Sequence, residues 1–332
     1  MAVFGTVFMP QMAMTTFENE QWSDAQVVSS QSINMHPGAH VLHYSSTCFE
    51  GLKAFRHADG GIYTFRMDQN IARFAQSSEL LSLPAVNKRQ VSDMILNIVG
   101  QYAADVPEPP GSMYIRPTHV GTEASIGKAA APSLTSMLYV LLSPVGDYFA
   151  GGAKPLRLLL DEDGMRCAPH MGMVKSGGNY ASALPPIIKA RREVNADQIL
   201  FCPNGDVQET GAANFLLIDG NEIITKALDS SFLHGVTRSS ILTLAKGLGM
   251  HVSERSISVE ELLKRAGKPG TEAALSGTAA VLTPVGTFIH NGKEYQVGDG
   301  EAGPTTKKLR QTLNDIQWGN APDTHGWLVK VN

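Results

Sequence analysis

The chain has 332 residues, 43% of them hydrophobic and 17% charged, which is typical of a folded globular protein and not of a disordered one. Its 27 basic and 31 acidic side chains give a net charge of -4, so the basic surplus expected of a nucleic-acid-binding protein is missing. The sequence has no apolar run of membrane-spanning length and no basic segment typical of a signal peptide. Three scattered cysteines fit a reducing compartment, so we expect a soluble, cytoplasmic protein that does not bind membranes.

A chain of this length is expected to form two domains. A segment rich in glycine and proline, residues 143–155, lies between two strand-like runs, Ser136–Leu142 and Leu156–Leu160. Breakers between strand patterns indicate an interdomain linker. We therefore predict a smaller N-terminal α/β domain at residues 1–145, a linker at 146–155 and a larger C-terminal domain at 156–332.

In the first domain, Gly61–Phe65 alternates like a strand, and a helix is predicted to begin near Asp68. The residues of this helix that keep helical spacing and are expected to face the core are Ile71, Phe74, Ser78 and Leu81. Arg73 lies off that stripe, so we expect its side chain to point away from the core.

In the second domain, Gln198–Cys202 and Asn214–Ile218 are predicted strands, and Thr237–Leu248 is a predicted helix that ends at a capping Gly249. The residues of this helix expected to face inward are Ile241, Leu244, Ala245 and Leu248. The pattern as a whole predicts an α/β protein with mixed sheets in two domains.

Three apparent motifs do not meet their chemical requirements. Gly121–Ala129 has five residues between its glycines and no hydroxyl for magnesium, so it is not a P-loop. Gly247-Leu-Gly249 lacks the third glycine of a dinucleotide-binding turn. A histidine-rich segment without a nearby set of acidic ligands is better explained as a turn leading into a half-buried strand than as a metal site. Its histidines are His36, His40 and His43.

The segment Met173–Ala181 contains Lys175, two glycines, an amide and a phenol, and no second charge. Glycines let the backbone approach a bound ligand closely, and a lysine in charge-poor surroundings is suited to forming a Schiff base. The composition alone is equally compatible with a lysine at a loop edge whose ammonium group lies in water.

Three further segments are candidates for binding a charged cofactor. Glu209 precedes small residues and an apolar strand, and pyridoxal phosphate requires an acid at its pyridine nitrogen. An acid at an exposed turn is the alternative explanation. Gly235–Thr237 opens a predicted helix, and Ser276–Ala279 is a turn rich in hydroxyls, so either segment is suited to binding phosphate. Each is also compatible with an ordinary cap or turn.

Taken together, these segments resemble the branched-chain amino-acid aminotransferases, which are fold-type IV pyridoxal-phosphate enzymes. The similarity runs from Asn34 to Pro284, with its blocks in the family's order. The blocks are His36–His40, His43–Tyr44, Phe49–Phe55, Phe65–Asn70 with Arg73, Tyr114–Pro117, Lys175–Ala181, Glu209 with Asn214–Phe215, Gly235–Arg238 and Ser276–Ala279. The resemblance implies a two-domain α/β fold like that of D-amino-acid aminotransferase, and a homodimer.

The resemblance also implies a cofactor site for pyridoxal 5'-phosphate. It assigns the Schiff base to Lys175, the pyridine nitrogen to Glu209 and the phenolate oxygen of the ring to Tyr180. The residues that it places at the cofactor phosphate are Arg73, Val236, Thr237 and Thr278.

A substrate pocket follows from the same resemblance. Arg116 and the Thr278–Ala279 turn match positions that bind substrate carboxylates. The aromatic residues that match the family's apolar pocket are Tyr44, Phe49, Tyr114 and Tyr148. In the family's dimers, the region that matches Tyr44 contributes to the neighbouring subunit's site.

The implied reaction transfers the amino group of L-leucine, L-isoleucine or L-valine to 2-oxoglutarate, which yields branched-chain 2-oxo acids and L-glutamate. D-amino-acid aminotransferase and aminodeoxychorismate lyase share the lysine and acid and remain alternatives. The Tyr44–Phe55 block and Tyr114–Pro117 favour the branched-chain enzyme. A non-catalytic metabolite-binding protein on the same scaffold is disfavoured, because both Lys175 and Glu209 are present.

Overall fold

The computed structural model describes residues 4–147 and 154–331. The chain divides into two units, one comprising Met1–Tyr148, Val174–Gly177 and Ile316–Asn332, the other Phe149–Met173 and Gly178–Asp315. Most of the predicted linker, including the predicted pocket residue Tyr148, lies outside the described residues. Each unit is built on its own sheet.

Within its described residues, the first unit contains a nine-stranded sheet in which every pair of strands is antiparallel. Numbered along the chain, its strands are β1 (Gln11–Glu18), β2 (Gln21–Trp22), β3 (Gln26–Ser29), β4 (Thr47–Phe49), β5 (Leu52–Arg56), β6 (Ile62–Phe65), β7 (Ser112–Gly121), β8 (Ser136–Val145) and β17 (Leu328–Lys330). They follow the order β17-β6-β5-β7-β8-β1-β2, and β3 pairs with β1 and β4 with β7. The strands predicted at Gly61–Phe65 and Ser136–Leu142 are confirmed as β6 and β8.

The helices of the first unit are α1 (His40–Tyr44), α2 (Met67–Leu80) and α3 (Lys88–Gln101). Asn87 caps α3 by accepting a hydrogen bond from the backbone N–H of Gln90. The two long helices pack on each other, and α3 packs on β1 and β8. Its buried residues recur at helical spacing, as a helix with one face on a core requires. They are Val91, Met94, Ile95, Ile98 and Val99.

Two predictions for the first unit are wrong. Arg73 does not point into solvent, because it is only 8% exposed and forms a buried ion pair with Glu50. Helical spacing identifies the apolar face, but it does not reveal that a buried carboxylate supports a charge beside that face. The histidine-rich segment forms α1 instead of a strand, and the imidazole of His40 is buried against the hydroxyl of Ser46.

The second unit holds an eight-stranded mixed sheet in the part of the chain that the structure describes. Its strands are β9 (Leu156–Asp161), β10 (Gln198–Phe201), β11 (Asn214–Asp219), β12 (Glu222–Thr225), β13 (His251–Glu254), β14 (Thr271–Gly277), β15 (Val281–His290) and β16 (Lys293–Gln296). Their order is β10-β9-β15-β14-β11-β12-β13, with β16 on β15. Strand β9 is parallel to β10 and β15, and β12 is parallel to β13. The strands predicted in this half are confirmed as β9, β10 and β11.

Four helices accompany this sheet among the described residues: α4 (Gly177–Val194), α5 (Val236–Gly247), α6 (Val259–Ala266) and α7 (Pro304–Gln317). Helix α5 confirms the predicted helix and buries its inward stripe, and Gly249 has the positive φ of +79° that a helix-ending glycine requires. Leu248 was wrongly predicted to face inward, because it is the C-cap residue and is 46% exposed. The helix has ended at that point, so helical spacing no longer determines the side chain's direction.

Among residues 4–147 and 154–331, no helix combines the length and the apolar character that crossing a membrane would require.

Candidate active site

The backbone of Lys175 is held on both sides within the first unit. Its carbonyl oxygen accepts a hydrogen bond from the N–H of Phe49, at 3.0 Å, and its own N–H donates to the hydroxyl of Ser77, at 3.1 Å. The flanking residues Val174 and Ser176 are buried, whereas Lys175 is half-buried. Its ammonium nitrogen lies 5.0 Å from the centre of the Phe49 ring. A fixed backbone therefore carries an amine that reaches an aromatic surface.

Arg73, on α2, forms a buried ion pair with Glu50, which follows β4. The guanidinium Nε lies 2.7 Å from Oε1 of Glu50, and Nη2 lies 2.9 Å from Oε2. Asn70 and the N–H of Gly51 also donate to Oε2. Burial alone would raise the pKa of Glu50, but the charges of Arg73 and Lys175 and these hydrogen bonds hold it below its usual range.

Three predicted substrate residues lie together in the first unit. Nη2 of Arg116 donates to the hydroxyl of Tyr114, at 3.0 Å, and its Cζ lies 4.6 Å from the centre of the Phe49 ring. Gly51 leaves room for the hydroxyl of Tyr114, because any side chain at this position would overlap that oxygen. The Nε of Arg116 is buried, and none of the described residues accepts a hydrogen bond from it. A cation with an unmatched donor therefore lies beside an aromatic wall.

Tyr44 belongs to a different cluster in the same unit. Its hydroxyl donates to the carbonyl oxygen of Ile126, and its ring lies 4.8 Å from that of His40. The Nε2 of His40 lies within hydrogen-bond distance of the carbonyls of Lys128 and Ala131. Within one chain, these contacts fix Tyr44 on a loop and not beside Phe49.

In the second unit, the carboxylate of Glu209 is 2% exposed and is surrounded by donors. Its Oε1 lies 2.9 Å from Nη1 of Arg166 and accepts from the N–H of Leu233, at 2.8 Å. The side-chain amide of Asn214 donates to Oε2, at 3.0 Å. These donors stabilise the charged carboxylate, so the alternative of an acid at an exposed turn does not apply to Glu209.

Arg166 links Glu209 to Tyr180 of α4. Its guanidinium also donates to the carbonyl oxygens of Gly211 and Gly172, and its Cζ lies 5.7 Å from the centre of the Tyr180 ring. Burial would lower the pKa of Arg166, but the charge of Glu209 and the other negative partners raise it above its usual value. The cation is therefore permanent, and it orients both the carboxylate and the phenol.

The two predicted phosphate-binding segments of the second unit lie next to Asn214. Asn214 opposes Ser276 across β11 and β14, and Gly235 lies so close to the side-chain amide of Asn214 that any added side chain would overlap it. Val236–Thr237 form the first turn of α5, which glycine, having no side chain, cannot cap. Thr278–Ala279 form the turn between β14 and β15. Glu209, the start of α5 and this turn are thus gathered around one amide.

The sequence interpretation assigned no role to Glu50, Arg166 or Asn214. A signal for Arg166 was present, because it is the only formally charged residue between Gly164 and Met173, just as Lys175 is alone in its own segment. Glu50 and Asn214 gave no such signal. Their roles depend on partners that folding brings to them.

Comparison with known proteins gives the family. The model of the amino-transferase class IV family matches residues 47–288. A probable branched-chain-amino-acid aminotransferase from Streptomyces coelicolor is 38% identical, with 98% of this chain and 91% of the relative covered. Branched-chain-amino-acid aminotransferase 2 from Bacillus subtilis is 35% identical, with 99% and 92% covered.

Solved structures give the same result. The Escherichia coli branched-chain amino acid aminotransferase has a TM-score of 0.80 and 27% identity, with 96% of this chain and 99% of that chain covered. A thermophile-type relative, the T.th. branched-chain amino acid aminotransferase with pyridoxamine 5'-phosphate, has a TM-score of 0.81 and 25% identity, with 97% and 98% covered. The predicted fold type and the stated resemblance are confirmed. With residues 47–288 matching the family model and relatives similar along its length, the chain belongs to the amino-transferase class IV family.

Proposed function

We propose that this protein is a branched-chain amino-acid aminotransferase that transfers the amino group of L-leucine, L-isoleucine or L-valine to 2-oxoglutarate, with pyridoxal 5'-phosphate attached to Lys175. The observation that carries the proposal is the placement of Lys175. Its backbone is fixed by Phe49 and Ser77, and its amine lies over the same aromatic ring as Arg116. An amine, an apolar surface and a cation are the groups that an amino acid with an apolar side chain requires.

The residues present fit the cofactor. Glu209 is a buried carboxylate supported by Arg166 and Asn214, and it suits the protonated pyridine nitrogen. Gly235 keeps the start of α5 clear of side chains, as close approach of a phosphate to backbone N–H groups requires. Solved relatives hold pyridoxamine 5'-phosphate and N-(5'-phosphopyridoxyl)-L-glutamate. When bound, the cofactor supplies an electron sink for the negative charge that develops at the substrate's α-carbon.

The residues proposed to hold the phosphate differ in how they do so. Arg73 provides a charge-assisted contact. Val236 and Thr237 provide N–H groups of the first helical turn, where the helix dipole favours an anion. Thr278, in the turn after β14, provides a hydroxyl. These assignments combine a permanent charge with neutral donors.

Lys175 performs the proton transfer in this proposal. Its Nζ removes the α-proton of the amino acid and holds it, and the Phe49 ring excludes water on one side of the amine. Glu209 keeps the pyridine nitrogen protonated, and Tyr180 donates to the oxygen of the cofactor ring. Arg166 orients both residues through its ion pair and its contact with the phenol.

The substrate is proposed to lie against Phe49 and Tyr114. Arg116 binds a substrate carboxylate, which is supported by the unmatched donor at its Nε. The backbone of Ala279 binds carboxylate through the turn after β14. Tyr44 is proposed to serve the neighbouring subunit of a homodimer, and Tyr148, outside the described residues, completes the apolar pocket.

We also propose that the enzyme acts as a homodimer in the cytoplasm. The three cysteines fit a reducing compartment, since all are buried and unpaired. Sedimentation equilibrium would show a mass of about twice 35.6 kDa for the dimer. A monomeric active enzyme would contradict the role proposed for Tyr44.

The absorption spectrum of the purified protein with pyridoxal phosphate tests the proposal. The bound cofactor should give a visible band that L-leucine bleaches and 2-oxoglutarate restores. A band that responds to D-alanine and not to L-leucine would instead indicate the D-amino-acid enzyme. A protein that stays colourless with excess cofactor would refute the role of Lys175.

The variant K175A should lose all measurable transamination, because no other described group is proposed to carry the cofactor and the proton. The matched control is K189A, which removes an exposed lysine of α4 whose ion pair with Glu193 is weak and solvated. K189A should retain both the band and the activity. Substantial transamination by K175A would contradict the assignment.

A further inference from the structure

Glu50 has no part in the proposed reaction, yet it is among the most deeply buried acids of the described chain. Its side chain is 1% exposed and lies directly after β4. A buried carboxylate is costly unless it is paired and hydrogen-bonded, so its partners indicate why it is there. Those partners are two groups of the proposed cofactor site, Arg73 and Lys175.

The contact between Glu50 and Arg73 is bidentate. Two parallel bonds, Nε to Oε1 at 2.7 Å and Nη2 to Oε2 at 2.9 Å, fix the plane of the guanidinium. The carboxylate is itself fixed, because Oε2 also accepts from Asn70, at 2.8 Å, and from the N–H of Gly51, at 3.1 Å. A flexible arginine side chain thereby acquires a single orientation.

Lys175 is tied to the same structure through its backbone. Its carbonyl accepts from Phe49, the residue before Glu50, and its N–H donates to Ser77, which lies one helical turn after Arg73 on α2. The charge of Lys175 is one of the groups that lower the pKa of Glu50. Glu50 is therefore within electrostatic reach of both cations.

The cations on the elements around Lys175 outnumber the acids. Arg73 on α2 is one, and Arg116 on β7 is another, since it lies over the same Phe49 ring as Lys175. Both oppose a positive charge on the lysine. Glu50 is the carboxylate that opposes them in this cluster.

We propose that Glu50 is a positioning residue that orients Arg73 toward the cofactor phosphate and acts as the counter-charge of Lys175. The inference rests on the proposed function, because it takes the phosphate contact of Arg73 from there. Glu50 touches neither substrate nor cofactor in this arrangement. It acts through the orientation of one side chain and the charge of another.

Three variants separate these effects. E50D keeps the charge but shortens the side chain, so the bidentate contact with Arg73 is lost. E50Q keeps the shape and removes the charge. N70A is the matched control, because it removes one neutral donor to Glu50 from the same helix and leaves the Arg73 contact in place.

The first readout is the binding of pyridoxal phosphate compared with that of pyridoxal, which lacks the phosphate. The wild-type protein should prefer the phosphorylated form, and E50D should lose about tenfold of this preference, since a misoriented guanidinium loses its charge-assisted contact. N70A should keep most of it. If E50D keeps the wild-type preference, or if N70A loses as much as E50D, Glu50 does not position Arg73.

The second readout needs no cofactor. Acetic anhydride labels only the neutral amine, so mass spectrometry of the Lys175 peptide across a pH series gives the titration midpoint of this amine. E50Q should lower the midpoint by about one pH unit, because Arg73 and Arg116 then act without a counter-charge. E50D should stay near the wild type. Identical midpoints in the wild type and E50Q would overturn the counter-charge role.

The outcomes remain distinct from those of the proposed function. A wild-type protein that fails to bind pyridoxal phosphate refutes the function, whereas normal binding in the wild type and both Glu50 variants refutes only this inference. E50Q leaves a buried arginine without an anion and is the variant most exposed to misfolding. If it fails to fold, E50D still decides, because wild-type preference in that variant contradicts the proposal.

Discussion

Each unit of this protein contains a buried glutamate–arginine pair, and the two pairs are organised in opposite ways. In the first unit, both oxygens of Glu50 bind the guanidinium of Arg73. In the second, Arg166 binds one oxygen of Glu209, and the other donors are Asn214 and a backbone N–H. The carboxylate thus orients the arginine in the first pair, whereas the arginine orients the carboxylate in the second.

The comparison shows that residue identity does not determine which member of a buried pair acts chemically. Glu50 is engaged by its arginine through both oxygens, so Arg73 is the group proposed to meet a ligand. Arg166 distributes its donors among Glu209 and two backbone carbonyls, so it stabilises a carboxylate that is proposed to meet the pyridine nitrogen. The neighbouring donors assign the roles.

The strongest test of this contrast is E209Q. Removing the charge of the acid should lower kcat by about 10²- to 10³-fold, because the charge that develops in the reaction loses its electrostatic support. The affinity for the cofactor should change far less than it does in E50D. The control E193Q removes an exposed acid of α4, and its rate should match the wild type. A rate for E209Q within a few-fold of the control would contradict the assignment.

A second test addresses stability. R166M removes one partner of a pair whose side chains are 2% and 3% exposed, and should destabilise the fold by about 3–5 kcal/mol, because a carboxylate is left buried without its cation. Chemical denaturation of the cofactor-free protein measures the loss. R192M, at a side chain 74% exposed, is the control and should be nearly neutral. Equal midpoints for the two variants would show that the pair is not stabilised as described.

The pH dependence of stability separates the first ion pair from a neighbouring buried histidine. His119 is fully buried, with hydroxyls of Ser78 and Ser136 near its two ring nitrogens, and burial lowers its pKa to about 4. Since the unfolded chain binds this proton first, stability should fall as pH decreases from about 6.5 to 4, by about 3 kcal/mol in all. Glu50, whose pKa is also lowered, contributes stability that is lost only below its ordinary value near 4.5.

Urea denaturation at a series of pH values measures both windows. H119Q keeps polar atoms near the two serines and removes the titration, so its stability should vary less between pH 6.5 and 4 than that of the wild type. A variant with the full wild-type slope in that range would exclude His119 as its source.

The smallest effect is expected from G51A. The added methyl group would overlap the hydroxyl of Tyr114, the far end of a side chain that can move, so the fold should survive while the contact between Tyr114 and Arg116 is disturbed. The KM for 2-oxoglutarate should rise about tenfold, which corresponds to about 1.4 kcal/mol. The control G267A has no atom near the added methyl group. An unchanged KM in G51A would show that this contact does not serve the carboxylate.

The accuracy of the sequence interpretation depended on the range of the interactions involved. Strands and the α5 helix were predicted from alternation and helical spacing, and Gly249 from the positive φ that ends a helix. These signals arise within a few residues. Leu248 was wrong because the helix ends one residue earlier, and Arg73 was wrong because its burial depends on Glu50, 23 positions away.

The sequence by itself determined the elements, the family and the set of chemically suitable residues, with Lys175 and Glu209 at its centre. Only the tertiary structure determined that Glu50 pairs with Arg73, that Arg166 supports Glu209 and that Asn214 lies between Glu209 and Gly235. The physical reason is that a buried charge requires a partner. Such a partner can lie anywhere in the chain, and local spacing does not encode its position.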